Sequence, residues 1–148
     1  MKNKLLILTS ILTLLPFITR GQNEVIDIDL SEDGAKNPGY TITENNKTYH
    51  FTGTYIGTPG QAIYDDIHNK KAVINIDPDV KTATIILEDV DISLTRDMQC
   101  PLFAGNAEDI IIKLRGNNIL SVEFYTGSKD GSPGLWIPDG ENSKIIIQ

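Results

Sequence analysis

Ala83-Thr84-Ile85-Ile86-Leu87-Glu88-Asp89-Val90-Asp91-Ile92 and, 27 residues on, Ile110-Ile111-Ile112-Lys113-Leu114-Arg115-Gly116-Asn117-Asn118-Ile119 are the stretch whose reading decides the fold. Ile85, Leu87 and Ile92 meet Ile112, Leu114 and Ile119 at this shift, and the acidic Glu88-Asp89 is replaced by Arg115-Gly116 at a corner. A second self-match follows at a shift of 33, where Pro101-Leu102-Phe103-Ala104-Gly105-Asn106-Ala107-Glu108 runs without a gap onto Gly134-Leu135-Trp136-Ile137-Pro138-Asp139-Gly140-Glu141. Continued into the next strand, it brings Ile112 onto Ile145 and Leu114 onto Ile147, and the segment Ser121–Pro133 absorbs the extra length. Apolar strands that recur every 27 to 33 residues indicate stacked coils, each burying its apolar face on the next. The expectation is a right-handed parallel β-helix, with a β-sandwich or jelly roll as the alternative.

Working outward, the same pattern extends along the chain. Ile26, Ile28 and Leu30 interleave with Asp27, Asp29 and Ser31, while Val90, Ile92 and Leu94 interleave with Asp91, Ser93 and Thr95. Each run has one apolar and one polar face. Further strands are expected at Tyr40–Thr43, Thr48–Thr54, Val73–Asp77, Ala83–Leu87, Ile110–Leu114, Ile119–Phe124 and Lys144–Gln148. Turn chemistry separates them at Asp33-Gly34, Asn37-Pro38-Gly39, Thr58-Pro59-Gly60, Gly116-Asn117-Asn118, Asp130–Gly134 and Asp139-Gly140. After Gly21, Ile and Val number 24 against 13 Leu and Ala, a balance that favours pleated surfaces over helices. The domain is expected to be all-β.

Composition removes several function classes. The chain of 148 residues carries 13 Lys and Arg against 20 Asp and Glu, so a nucleic-acid partner, which needs basic side chains to neutralise phosphates, is not expected. Cys100 alone cannot build a disulfide framework, and one Cys with His50 and His68 cannot supply a usual zinc site. The N-terminal 1–21 reads as a secretory signal peptide: Lys2 and Lys4, an apolar run from Leu5 to Ile18, then Thr19-Arg20-Gly21. As a helix that run rises only about 21 Å, short of a hydrocarbon core about 30 Å thick. The expected location is secreted, cell-surface or periplasmic, with no membrane span after cleavage. Loss of Lys2, Lys4 and Arg20 leaves ten bases against twenty acids, a net charge of −10. Residues 22–39 are read as an N-terminal strand and linker, and 40–148 as the β-helix domain.

The phrases Ala83–Ile92, Pro101–Ile112 and Leu114–Leu120, with Tyr49-His50-Phe51-Thr52-Gly53-Thr54-Tyr55 and Ala62-Ile63-Tyr64 upstream, resemble those of secreted bacterial carbohydrate-binding β-helix proteins related in fold to pectate lyases. The resemblance covers roughly Tyr40 to Gln148 and lies in structural phrases of a coil, not in catalytic signatures. It implies binding of polysaccharide, in particular acidic plant glycan, with calcium as cofactor. In that family the last strand would lead into a Gly-rich corner and more coils, so this chain, which stops inside Lys144–Gln148, reads as a fragment. The open edge of that strand is then expected to self-associate.

Candidate chemistry lies among acids and aromatics. Asp89 and Asp91, like Asp77 and Asp79, stand two residues apart, the strand spacing that points carboxylates to one face, and Asp139-Gly140-Glu141-Asn142 packs oxygen ligands into a tight turn. Asp89, Asp91, Asp139 and Glu141 are the candidate calcium ligands; solvated strand faces and an Asp-Gly turn are the bland alternative. Trp136, Phe124 and Tyr125 are the candidate sugar-binding residues. Trp136 reads two ways, as an outward platform for a pyranose ring or as a rung stacked on Phe103. Catalysis would need groups such as the Arg base of calcium-assisted lyases, yet Arg96 and Arg115 sit in no recognisable catalytic motif. Non-catalytic polysaccharide binding is the expectation, with a lyase or a structural adhesin segment as alternatives.

Overall fold

The computed structural model describes residues 24–32, 39–55, 61–62, 71–95, 99–105, 108–123, 134–137 and 144–148. These form strands β1 (Val25–Asp29), β2 (Tyr40–Ile42), β3 (Lys47–Tyr55), β4 (Gln61–Ala62), β5 (Lys71–Ile76), β6 (Thr82–Leu94), β7 (Gln99–Ala104), β8 (Asp109–Arg115), β9 (Ile119–Val122), β10 (Leu135–Trp136) and β11 (Ile145–Ile147). The fold is all-β, and the described residues include no helix. One sheet runs β1-β3-β6-β8-β11 with β9 also on β6, and the other runs β10-β7-β5-β2 with β4 on β5. Every pairing is parallel except the short β4–β5 contact. Parallel neighbours cannot be joined by a tight hairpin. Here the connection is made by crossing to the other sheet, so that β1, β3, β6, β8 and β11 alternate along the chain with strands of the second sheet. A sandwich or jelly roll would pair its strands antiparallel instead.

The core lies between the two sheets and is built from rows of like residues in register. Ile26, Tyr49, Ile85, Ile112 and Ile147 form one row, and Ile28, Phe51, Leu87 and Leu114 the next. Tyr40, Ile74, Leu102 and Leu135 face them from the second sheet. Phe51, Ile85, Leu87, Ile74 and Leu102 are fully buried, each worth roughly 1.5–3 kcal/mol of transfer free energy. Tyr40 meets Phe51 edge-on at 5.6 Å between ring centroids, the geometry that the ring quadrupole favours.

Two registers differ from the sequence expectation. Ile85 pairs with Ile112 and Leu87 with Leu114 as expected, but beyond the corner Asp91 pairs with Ile119 and Ile92 with Leu120. One extra residue at Gly116–Asn118 shifts the register from 27 to 28. Because strand side chains alternate, that single step puts Leu120 against the core and leaves Ile119 half exposed. In β11, Ile145 and Ile147 pair with Ile110 and Ile112, a shift of 35 where 33 was expected. The change of two preserves the face, so both still continue inward rows.

Ala83–Leu87 and Val90–Leu94, expected as two strands, are one strand of 13 residues, β6, bent at Asp89 with φ of 51°. The left-handed conformation turns the strand without ending it. In β7 all six residues are buried, so no alternation marks it. Its Pro101 lacks an N–H and falls where the β5–β7 register skips from Ala72↔Cys100 to Ile74↔Leu102. The segment 22–39, read as a leading strand and linker, contributes β1 to the first sheet.

Candidate functional site

The outward side of the first sheet carries the polar half of each alternation. In β3, Tyr49 and Phe51 point inward, which leaves Thr48, His50 and Thr52 on the other side. Across β3, β6 and β8 an open groove of about 220 Å³ is lined by Asn46, Lys47, Thr82, Thr84, Asp109 and Ile111. Its end is fixed by a corner network. Asn46 holds φ of 59°, a region Asn tolerates better than most residues. The Thr82 hydroxyl donates to Asn46 Oδ1 at 2.8 Å, the Asn46 amide donates to the Thr82 carbonyl, and Asn45 Oδ1 accepts from the amides of Lys81 and Thr82.

Charge at the groove is paired. Lys47 Nζ donates to Glu24 and lies 3.7 Å from Glu44. The Glu24 hydrogen bond holds the ammonium above its ordinary pKa and the Glu24 carboxyl below its own. Asp109 accepts from Lys144 at 3.0 Å. Both pairs are solvent-exposed and therefore contribute little to stability. The groove thus presents hydroxyls, an amide, an ammonium and a carboxylate around the apolar Ile111.

Beyond the groove a charged row crosses four strands. His50 Nδ1 lies 2.9 Å from Asp27 Oδ1 and its Nε2 lies 3.0 Å from Glu88 Oε2, while Arg115 Nη1 reaches the same Glu88 oxygen at 3.5 Å. Neither His50 nor the groove residues were singled out for chemistry by the sequence. The available signal was the alternation Lys47-Thr48-Tyr49-His50-Phe51, which sets His50 outward.

The residues expected to carry function are placed as follows. Trp136 is in register with Phe103 and meets it edge-on at 5.4 Å between centroids. Together with Ala72 and Cys100 they make a cluster separate from the main core, against which Leu135 packs. Trp136 is therefore both a rung on Phe103 and partly exposed. Phe124, Tyr125, Asp139, Glu141 and Arg96 lie outside the described residues.

Asp89 Oδ1 accepts the Asn117 amide at 2.9 Å, and Asp91 Oδ1 accepts the Ser93 hydroxyl at 2.8 Å. Asp77 Oδ1 accepts the Asp79 amide at 2.9 Å, which closes the turn after β5. Positive φ at Asp89 breaks the alternation that would have aimed Asp89 and Asp91 at one point. Calcium takes six to eight oxygens. Among the described residues no group of three or more His, Cys, Asp or Glu side chains is placed to hold a metal ion. No helix among the described residues is long and apolar enough to cross a membrane. Comparison with protein-family models, with curated proteins and with solved structures found no match.

Proposed function

We propose that the chain forms a secreted parallel β-helix that binds polysaccharide without transforming it, and that the glycan lies across the outward side of the first sheet. The observation that carries this reading is the groove over β3, β6 and β8. At about 220 Å³ it is smaller than the roughly 300–1,000 Å³ of pockets that engulf a drug-sized ligand. It suits one ring of a longer chain passing over the surface. Hydroxyl and amide groups of Thr82, Thr84 and Asn46 match sugar hydroxyls, and Ile111 offers an apolar patch to a ring face. Support for the β-helix comes from the alternation of the chain between two parallel sheets and from the in-register rows.

A second placement sets the sugar on the exposed part of Trp136, beside Phe103. Calcium assistance is assigned in this reading to Asp89 and Asp91 together with Asp139 and Glu141, the last two of which lie outside the described residues. A glycan array probed with the chain from Gln22 onward, with and without calcium, tests the function. Saturable binding to an extended glycan is expected, and absence of binding in both conditions would leave a structural role. Release of reducing ends or unsaturated uronates from polygalacturonate would replace binding by lyase activity.

A further inference from the structure

Sugar hydroxyls and uronate carboxylates make different demands on the groove over β3, β6 and β8. A hydroxyl both donates and accepts, whereas an ionised carboxylate only accepts. Among the described residues that line the groove the one cation is Lys47, and two carboxylates already hold it: its Nζ donates to Glu24 and lies 3.7 Å from Glu44. The carboxylate of the groove, Asp109, meets Lys144 at 3.0 Å through Oδ1. Lys47 and Lys144 thus set two positive charges against three negative ones, Glu24, Glu44 and Asp109. Resting on the reading that this groove binds polysaccharide, we propose that it selects neutral glycan and discriminates against polymers that carry uronate carboxylates.

A neutral ring finds partners for what it carries. The exposed Asp109 carboxylate can accept from a sugar hydroxyl while Lys144 holds it, the Thr84 hydroxyl can donate or accept, and Ile111 offers an apolar surface to the ring face. A carboxylate brought to the same place meets an anion in Asp109, and the Lys47 ammonium beside it is offset twice over by Glu24 and Glu44. Lys113 stands two residues beyond Ile111 on the same side of β8, in register with Ile86, and brings these charges to balance without an excess of cation. The rows further along, with Asp27 and Glu88 against Arg115, are acidic again. The whole chain carries a formal charge of −7, so a polyanion also approaches against the field of the protein.

Calcium does not reverse this preference from its candidate ligands on β6. Asp89 lies five residues along the strand from Thr84, about 16 Å at the rise of a strand, too far for one ion to bridge Asp89 and a uronate in the groove. The preference for the neutral ring therefore holds with and without calcium.

A glycan array of matched pairs reads the selectivity, each pair a neutral polymer and its uronate counterpart of the same linkage: carboxyl-reduced and native polygalacturonate, cello-oligosaccharides and their C6-oxidised forms, mannan and polymannuronate. The pair that contains the strongest binder is then titrated by calorimetry at low and at high salt, with calcium and with a chelator. The neutral member should bind about three- to tenfold tighter at low salt, and the gap should narrow at high salt as the repulsion is screened. In the double variant Glu24→Gln, Glu44→Gln, two changes at exposed side chains, Lys47 is released to meet a carboxylate and the gap should shrink to about twofold or less. Equal or tighter binding of the acidic member, a preference reversed by calcium, or a gap unchanged in the double variant would overturn the selectivity and leave polysaccharide binding standing. Absence of binding to every member of the array would remove the binding reading itself, and this inference with it.

Discussion

Replacing Gly116 by Ala tests the corner that sets the register of the first sheet. Gly116 has φ of 65°, and a Cβ there would overlap the Asp89 carboxylate, lying 2.7 Å from its Cγ. The left-handed conformation costs a residue with a Cβ roughly 1–2 kcal/mol. Displacing the carboxylate also forfeits the hydrogen bond from the Asn117 amide, about 1 kcal/mol at this exposed site. The sum is about 2–3 kcal/mol. Asp89→Gly loses the same hydrogen bond but relieves the positive φ at position 89, so it should cost only about 1 kcal/mol or less. In the double variant the carboxylate is gone and only the φ cost at 116 remains, so the two losses should fall short of adding by about 1 kcal/mol. Urea unfolding of wild type, both single variants and the double variant closes the cycle. Additivity within about 0.5 kcal/mol, or no cost for Gly116→Ala, would refute the contact between the two corners.

Other perturbations follow from buried hydroxyls and exposed apolar residues. Tyr55 is buried and its hydroxyl has no hydrogen-bond partner among the described residues, so Tyr55→Phe should leave stability unchanged or raise it by up to about 1 kcal/mol in denaturant titration. Burial holds the phenols of Tyr40, Tyr49 and Tyr55 above their ordinary pKa, so the folded state keeps protons that the unfolded chain releases near pH 10. That stabilisation is complete below pH 10 and is lost as pH rises through the higher folded values; unfolding free energies measured from pH 8 to 11.5 should fall, less steeply in Tyr49→Phe. Leu114 and Ile147 stand 48% and 58% exposed beside an apolar cavity of about 210 Å³ reached by Leu87, Ile112 and Leu135. Light scattering should show association that grows with salt and weakens in Ile147→Lys, whereas a monomer at high salt would argue against a sticky β8–β11 margin.

The all-β class and the inward rows were legible because parallel neighbours repeat the same residue types: Ile85 over Ile112 and Leu102 over Leu135 are visible as self-matches before any pairing is known. Register was legible only between corners. A residue inserted at Gly116–Asn118 leaves composition unchanged yet moves Ile119 from inward to outward, and nothing in the apolar pattern distinguishes Ile119 from Leu120. The groove was not legible, since Asn46, Thr82 and Asp109 come from three separate stretches of sequence and meet only through strand pairing. His50 was hidden for the same reason, its partners Asp27 and Glu88 lying 23 and 38 residues away. The bend in β6 was not legible either, because the period-two pattern runs unbroken through Asp89 and Asp91 while the positive φ of Asp89 turns the chain.

Calorimetric titration of the glycan selected by the array into wild type, Thr84→Arg and Trp136→Ala tests the groove most directly. Thr84 lines the groove on the outward side of β6, so an Arg there fills the space without touching the core. The account predicts at least about a tenfold loss of affinity, roughly 1.4 kcal/mol, for Thr84→Arg and little change for Trp136→Ala. Unchanged affinity in Thr84→Arg would contradict the groove as the binding surface, and a loss confined to Trp136→Ala would move the sugar to the second sheet.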